Sequence, residues 1–169
     1  MSLVQGLNNL DTATARDALR QCCAAEGWVT AMLAARPFQH EAALMQAAAD
    51  IWWSLGEADW SEAFASHPRI GDLDSLRAKF AGTRGWAERE QAAVEVASEA
   101  TLRQLAQRNR EYEDKFGYIF ILCASGKTAD QMLAILNDRL RNSPATEVRI
   151  AAQEQLSITQ LRLSKLGSD

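Results

Sequence analysis

The chain has 169 residues, of which 47% are hydrophobic and 24% are charged, and this is the composition of a globular protein, not a disordered one. A chain of this length buries enough surface to fold without a disulfide or a metal, so we expect a compact single domain over residues 1–169. The formal net charge of −4 argues against nucleic acid as a partner, since phosphate binding requires a concentrated basic surface, but it leaves room for a small anionic ligand.

The predicted elements are helical almost throughout, because Ala, Leu, Gln, Glu and Arg are abundant and lose little side-chain freedom in a helix. Asp11 or Thr12 can cap the first helix, and we expect Gly27 to end it. In chain order, apolar periodicity and the positions of Gly and Pro predict helices over residues 12–25, from after Gly27 to 35, and over 40–55, 59–65, 73–80, 86–112, 128–142 and 143–166.

Two of the helix starts carry strong capping signals. Thr128 with Gln131 forms the pattern of a capping box, and Ser143 followed by Pro144 provides an N-cap and a first helical residue. The apolar run 118–124 is the one strand-like stretch, but no second strand can pair with it, so we expect it to be buried and helical or irregular. The predicted fold class is therefore all-α, a compact single-domain helical bundle.

The cysteines and the ends of the chain predict a cellular compartment. Cys22, Cys23 and Cys123 are an odd number without a C-x-x-C spacing, which is typical of a reduced cytoplasmic protein. Apolar neighbours predict an inert thiol at Cys123. The N-terminal residues lack the pattern of a signal peptide, and no apolar run approaches the roughly 18 residues of a membrane helix. We therefore expect a soluble, cytoplasmic protein.

Neither a metal nor a nucleotide is predicted as a ligand. His40 and His67 lie far apart in the sequence and the cysteines do not cluster, so no metal-ligand spacing is present. The glycine-rich motifs that bind dinucleotides and nucleoside triphosphates are also missing from the sequence.

Three charged or titratable residues stand where packing alone does not require them. Arg162 lies on the apolar side of the last predicted helix, where a guanidinium suits a carboxylate or a ureido carbonyl; an arginine that reaches the surface or pairs with a local glutamate is the commoner case. Glu90 lies near a helix N-terminus, where the helix dipole alone favours a carboxylate. His67 lies in a loop rich in Pro and Gly and suits acid–base chemistry near neutral pH, although a hydrogen-bonded loop histidine is a somewhat commoner explanation.

Four motifs follow one another along nearly the whole chain: His67-Pro68-Arg69-Ile70-Gly71-Asp72, Glu90-Gln91-Ala92, Phe116-Gly117-Tyr118-Ile119-Phe120-Ile121-Leu122-Cys123-Ala124, and Arg139-Leu140-x-Asn142 followed by Glu147 and Arg162-Leu163. They resemble, in this order, motifs of the 2-oxo-4-hydroxy-4-carboxy-5-ureidoimidazoline (OHCU) decarboxylases of urate degradation. The first is the H-P-R-I-G-D signature of that family without a change. A six-residue run with three further ordered motifs is much more specific than any one of them.

The resemblance implies an all-α enzyme, usually a homodimer and without a cofactor, that releases CO2 from OHCU to give (S)-allantoin. It implies that His67 is the catalytic acid, Glu90 its partner at the substrate and Arg162 the substrate anchor. It further implies that the substrate is lined by Pro68, Ala87, Gln91, Phe120, Ile121, Leu122, Cys123 and Ala124. Ala87 stands where the family has a serine, so a side-chain hydroxyl contact to the ligand is either missing or replaced by Thr83 or a water.

Two rival functions are compatible with the same residues. An acid, a base and an anchor would also serve a hydrolase or a racemase acting on a related ureide such as allantoin, and release of CO2 would distinguish these reactions. The alternative of another class is a non-catalytic helical binding module with a degenerate pocket. The presence of His67, Glu90 and Arg162 together argues against it, because a module without catalysis has no chemical need for all three.

Overall fold

The structure is a computed structural model that describes residues 2–68, 73–81 and 91–166, with side chains described outside 78–81 and 91–98. Within these ranges every regular element is a helix, and the prediction of an all-α fold is confirmed. The helices in chain order are α1 (Leu3–Asn9), α2 (Thr12–Cys22), α3 (Glu26–Ala34), α4 (Glu41–Ser54), α5 (Glu57–Ala65), α6 (Leu73–Ala81), α7 (Gln91–Phe116), α8 (Ala129–Arg139) and α9 (Pro144–Lys165).

The chain divides into two compact units, each built from segments that are distant in sequence. Unit 1 consists of Met1–His67, Ile121–Cys123 and Val148–Asp169, and unit 2 consists of Pro68–Phe120 and Ala124–Glu147. The single domain expected from the length of the chain stays a prediction.

The core of unit 1 is built around buried tryptophans on α3, α4 and α5. The side chains of Trp28, Trp52 and Trp60 are buried, and each indole N–H donates to a backbone carbonyl. The Trp52 indole donates to Ala152 of α9 at 2.9 Å, which fixes α4 against α9. A tryptophan that satisfies its one polar atom in this way fills a large volume without leaving a buried donor unpaired.

The core of unit 2 contains a buried ionic cluster. The Glu147 carboxylate is fully buried and accepts from the Tyr112 hydroxyl at 2.5 Å, from Arg139 at 2.6 and 2.7 Å and from Asn142 at 2.9 Å. The Arg139 guanidinium also lies over the Phe120 ring, 4.6 Å from its centroid. The last of the four motifs therefore has a structural role. Its residues Arg139, Asn142 and Glu147 form a buried cluster around which α7 and α8 pack.

Local sequence signals located most helix ends correctly. The Thr128–Gln131 capping box is present, and the Ser143 hydroxyl accepts from Thr146 N at the start of α9. The structure also has α1, which begins at a capping box between Ser2 and Gln5 and was not predicted.

The prediction that Gly27 ends the first helix is wrong. Helix α2 already ends at Cys22, and Gly27 lies inside α3. A Cβ atom at Gly27 would lie 2.8 Å from Asp59 Oδ1, so the glycine permits α5 to approach α3 closely. The glycine serves helix packing here, not chain reversal.

The sequence predicts that the segment after α7 is helical or irregular, and in the structure it is irregular. Helix α7 extends to Phe116, one turn beyond the predicted end, and stops where Gly117 adopts a φ of +83°. A positive φ at the residue after the last turn is a common helix end for which glycine is favoured. Residues 118–124 then continue without regular structure, with Ile121 buried and the others half-buried. The predicted start of α7 at Trp86 lies outside the described residues.

Candidate active site

His67 lies just beyond the C-terminal end of α5. Its backbone N–H donates to Phe64 O at 3.3 Å, which continues the last turn of the helix and fixes the position of the residue. The ring is half-buried, and its Nε2 lies 2.5 Å from Oε1 of Gln155 on α9. His67 therefore has a defined orientation set by a buried partner, and it is not a freely rotating loop side chain.

The surroundings of His67 favour its neutral form. Burial is the largest cause that lowers the pKa of His67 below the ordinary value, and the positive charge of Arg162 lowers it as well. The hydrogen bond to Gln155 acts in the opposite direction but does not outweigh them. A neutral imidazole at physiological pH can accept a proton and then return it.

Arg162 is held by the C-terminal end of α2. Its Nη1 donates to the backbone carbonyls of Gln21 at 3.3 Å and Cys22 at 3.4 Å. These are among the last carbonyls of a helix, which lack partners within the helix and carry its partial negative charge. Arg162 is thus a half-buried side chain that two backbone carbonyls hold in place.

The irregular segment is connected to α9 by a carboxylate. The backbone N–H of Cys123 donates to Oε2 of Glu154 at 2.8 Å, and Glu154 directly precedes Gln155. A charge-assisted bond of this kind is stronger than one between neutral groups, so it holds Ile121–Cys123 in place within unit 1. Neither Glu154 nor Gln155 was predicted as a site residue, and no local pattern in the sequence distinguishes them from other polar residues of the helix.

The two cysteines at the end of α2 are unsuited to nucleophilic chemistry. Burial raises the pKa of the Cys22 thiol to about 12, and it also raises the pKa of Cys23. Both side chains are only 1% exposed. A thiol of this kind stays protonated at neutral pH, and the protonated form is a poor nucleophile.

The structure brings some of the predicted site residues together and leaves others undescribed. His67, Ile121, Leu122, Cys123 and Arg162 belong to unit 1. Of the remaining predicted residues, those that belong to unit 2 and are described are Pro68, Phe120 and Ala124. Those that lie outside the described residues, wholly or in their side chains, are Ala87, Glu90 and Gln91, together with Thr83 and the last four residues of the H-P-R-I-G-D motif.

Two features are not found in the described part of the chain. Within it, no group of three or more His, Cys, Asp or Glu side chains is arranged to hold a metal ion. None of the helices in the described ranges combines the length and the apolar character needed to cross a membrane.

The neutral state of His67 predicts a measurable titration. In the His40→Asn variant His67 is the only histidine, and we expect its NMR titration midpoint below the ordinary value of 6.5. Replacing Arg162 by Gln removes a positive charge and should raise the midpoint, and an unchanged midpoint would contradict the electrostatic contact.

The lowered pKa of His67 also predicts a pH dependence of stability. Because the unfolded chain takes up the proton of this histidine first as the pH falls, the free energy of unfolding should begin to drop below about pH 6.5.

The fold and the site define an all-α protein whose neutral histidine and helix-anchored arginine suit a small anionic ligand. A family model described as OHCU decarboxylase matches residues 8–164 of the chain. The chain therefore belongs to the OHCU decarboxylase family.

Individual relatives agree with this membership. The chain is 38% identical over 154 residues to the uric acid degradation bifunctional protein TTL of Arabidopsis thaliana, which covers 90% of this chain and 47% of that protein. It thus spans about half the length of that relative. It is 30% identical over 137 residues to the 2-oxo-4-hydroxy-4-carboxy-5-ureidoimidazoline decarboxylase of Amia calva, which covers 80% of this chain and 77% of that protein.

Solved structures show the same fold. A crystal structure of an OHCU decarboxylase in the presence of (S)-allantoin is similar with a TM-score of 0.71 and 36% identity, over 90% of this chain and 99% of that one. A crystal structure of an (S)-allantoin synthase is similar with a TM-score of 0.70 and 19% identity, over 96% of this chain and 53% of that one. The second likeness is one of fold alone.

Proposed function

We propose that this chain decarboxylates OHCU to (S)-allantoin and CO2. The observation that carries the proposal is that burial and the positive charge of Arg162 lower the pKa of His67 and so favour its neutral form. This histidine lies in a chain that the OHCU decarboxylase family model matches over residues 8–164. A histidine that can take up and return a proton, next to a fixed cation, suits a reaction in which an anionic substrate loses CO2 and gains a proton at carbon.

The name of the substrate states the chemistry that the protein has to assist. One ring carbon carries both a hydroxyl and a carboxylate, and the neighbouring carbon carries the ureido group. When the bond to the carboxylate breaks, its electron pair moves into the adjacent unsaturated ring, so the substrate acts as its own electron sink. The overall reaction takes up one proton, because a carboxylate anion leaves as neutral CO2, and this proton goes from water to the ring nitrogen that received the electron pair. The protein then has to orient the bond, stabilise the developing charge and deliver a proton to one face.

Each role in this scheme is assigned to one residue. Arg162 binds the oxygens of the ring or the ureido group, because a guanidinium offers two parallel donors to planar acceptors. His67 accepts the hydroxyl proton and transfers a proton to the neighbouring carbon. Glu90, assigned from the family motif alone, accepts a hydrogen bond from the hydroxyl or from a ring N–H.

The proposal is tested with OHCU generated in situ, from urate by urate oxidase and hydroxyisourate hydrolase. After this protein is added, the circular dichroism of the product is followed together with CO2 release. We expect rapid formation of a single allantoin enantiomer above the racemic background of the uncatalysed decay. Decay to racemate at an unchanged rate would refute the proposal and leave the family membership as a statement about fold.

The same assay distinguishes the rival ureide chemistry. A hydrolase would consume allantoin, and a racemase would convert one enantiomer of allantoin into the other, in both cases without release of CO2. Incubation of the protein with (S)-allantoin alone is therefore the control. We expect its circular dichroism to stay constant.

Replacement of Arg162 by Lys should chiefly raise KM. A lysine keeps the charge, but a single ammonium cannot hold the carbonyls of Gln21 and Cys22 and also present a planar fork to the substrate. We expect kcat to change little in comparison, because the lost contact contributes to binding of the substrate as well as of the transition state. Steady-state kinetics in the dichroism assay measure both constants, and a fall in kcat at constant KM would contradict this role.

Two further expectations complete the proposal. We propose a cytoplasmic location, supported by three free cysteines of which two are buried. We also propose a homodimer, which the family resemblance implies. Light scattering coupled to size-exclusion chromatography checks it, and a mass corresponding to one chain at micromolar concentration would contradict it.

A further inference from the structure

The amide of Gln155, the partner of His67, is hydrogen-bonded at both ends. Its Oε1 lies 2.5 Å from His67 Nε2, and its Nε2 donates to Thr159 Oγ1 at 3.2 Å. Gln155 and Thr159 are each 1% exposed, so water does not compete for these bonds. Because the two residues are one turn apart on α9, the helix itself fixes their spacing.

The orientation of this amide determines the direction of the bond to His67. The NH2 group of Gln155 donates to Thr159, so the carbonyl oxygen faces the imidazole ring. The Thr159 hydroxyl oxygen has lone pairs and can accept this N–H. An amide oxygen can only accept, and therefore the ring nitrogen opposite it has to carry a proton.

We infer that Gln155, oriented by Thr159, is a positioning residue that holds His67 as the tautomer with its proton on Nε2 and its lone pair on Nδ1. The proton exchanged with the substrate then enters and leaves at Nδ1, while Nε2 keeps its proton throughout. This last step rests on the proposed function. The tautomer, in contrast, is a property of the free protein and can be measured without a substrate.

The consequence for the reaction is that one atom carries out both proton transfers. Nδ1 of the neutral ring accepts the proton that the hydroxyl loses when its carbon becomes a carbonyl. The imidazolium formed is stabilised by the Gln155 oxygen, which accepts from Nε2 in both charge states. The same Nδ1 then returns the proton to the neighbouring carbon, so the ring ends as it began. If the imidazole ring flipped between the two steps, the proton would no longer be delivered to the same face of the substrate.

The first test is an NMR measurement of the tautomer. The His40→Asn variant, labelled with 15N in histidine, leaves His67 as the only histidine and keeps a side chain that can cap α4. We expect a protonated-type shift for Nε2, an unprotonated-type shift for Nδ1 and a slowly exchanging ring N–H signal at Nε2. A ring proton on Nδ1 would overturn the inference, whether or not the protein is active.

The second test removes the acceptor. Gln155→Met is nearly isosteric and cannot accept the ring N–H, so we expect fast exchange of that signal and a loss in kcat of about 10–100-fold with KM little changed. Gln155→Glu again offers an oxygen to Nε2, and it should restore the slowly exchanging signal. A purely structural role predicts equal kinetic effects of both substitutions and no change in the ring signal.

The matched control is Gln160→Met. Gln160 is a half-buried glutamine on the same helix, and its amide donates to Met45 O without contacting His67. It should leave both the ring signal and kcat at their original values. A loss of the Nε2 signal in Gln155→Met with wild-type kcat would refute the positioning role. An Nε2 tautomer in a protein that releases no CO2 would refute the proposed function while the tautomer stands.

Discussion

Replacing His67 by Asn is expected to lower kcat by about 10²–10⁴-fold, the range that a positioned acid–base group contributes. The Asn side chain cannot take up and return a proton, but its amide is polar and fits the half-buried position next to Gln155. The free energy of unfolding should therefore change little. Progress curves of OHCU consumption measured with the dichroism assay give the ratio of kcat values.

His40→Asn is the matched control for this substitution. His40 accepts from Ala43 N through Nδ1 as the N-cap of α4, and asparagine is among the best residues at that position. We expect turnover close to that of the unmodified protein. Equal activity of the His67→Asn variant and the control would remove His67 from the mechanism.

Replacing Glu147 by Ala is expected to lower the free energy of unfolding by about 3–5 kcal/mol, because it removes the carboxylate that compensates the buried Arg139 charge. The Tyr112 hydroxyl loses its acceptor as well, and burial holds the pKa of Tyr112 above its ordinary value, so the group remains an unpaired donor. For a chain of this size the loss corresponds to a fall in Tm of roughly 6–20 °C. Thermal unfolding followed by far-ultraviolet circular dichroism measures it.

Two variants test the explanation and not only the size of the effect. Glu111 pairs with Arg108 on the surface of α7 at 2.6 Å, and Glu111→Ala should leave Tm nearly unchanged because an exposed pair contributes little. The double substitution Arg139→Met with Glu147→Leu removes both charges and should recover most of the stability lost in Glu147→Ala. If the double variant were as unstable as the single one, the cost would arise from lost packing and not from the loss of the compensating carboxylate.

The sequence predicted those parts of the fold that depend on neighbouring residues. The Thr128–Gln131 capping box and the Ser143–Pro144 helix start each form within a single turn, so neighbouring residues in the sequence are enough to predict their contacts. The same reasoning failed at Gly27, because the reason for that glycine is Asp59, on a different helix. Local propensity cannot indicate which helix approaches which.

The candidate site was predicted only in part for the same reason. His67 and Arg162 were identified because a charged or titratable residue interrupts a pattern, and the family motifs supported both choices. Their partners were missed: Gln155 is 88 residues from His67 in sequence, and the Cys22 carbonyl is 140 residues from Arg162. Nothing in the local sequence distinguishes Gln155 from other glutamines in helices, and only the tertiary structure shows that its amide faces an imidazole.

The way in which α2 holds Arg162 has a consequence for the association of an anion with this acidic protein. Backbone carbonyls position the guanidinium through dipoles, and these dipoles do not cancel its unit charge. A chain with a net charge of −4 repels anions at long range, yet an anion that comes within a Debye length of Arg162 meets a local attraction. Added salt weakens both forces, so the association rate should depend only weakly on ionic strength, because attraction at the site and repulsion by the whole molecule are screened together.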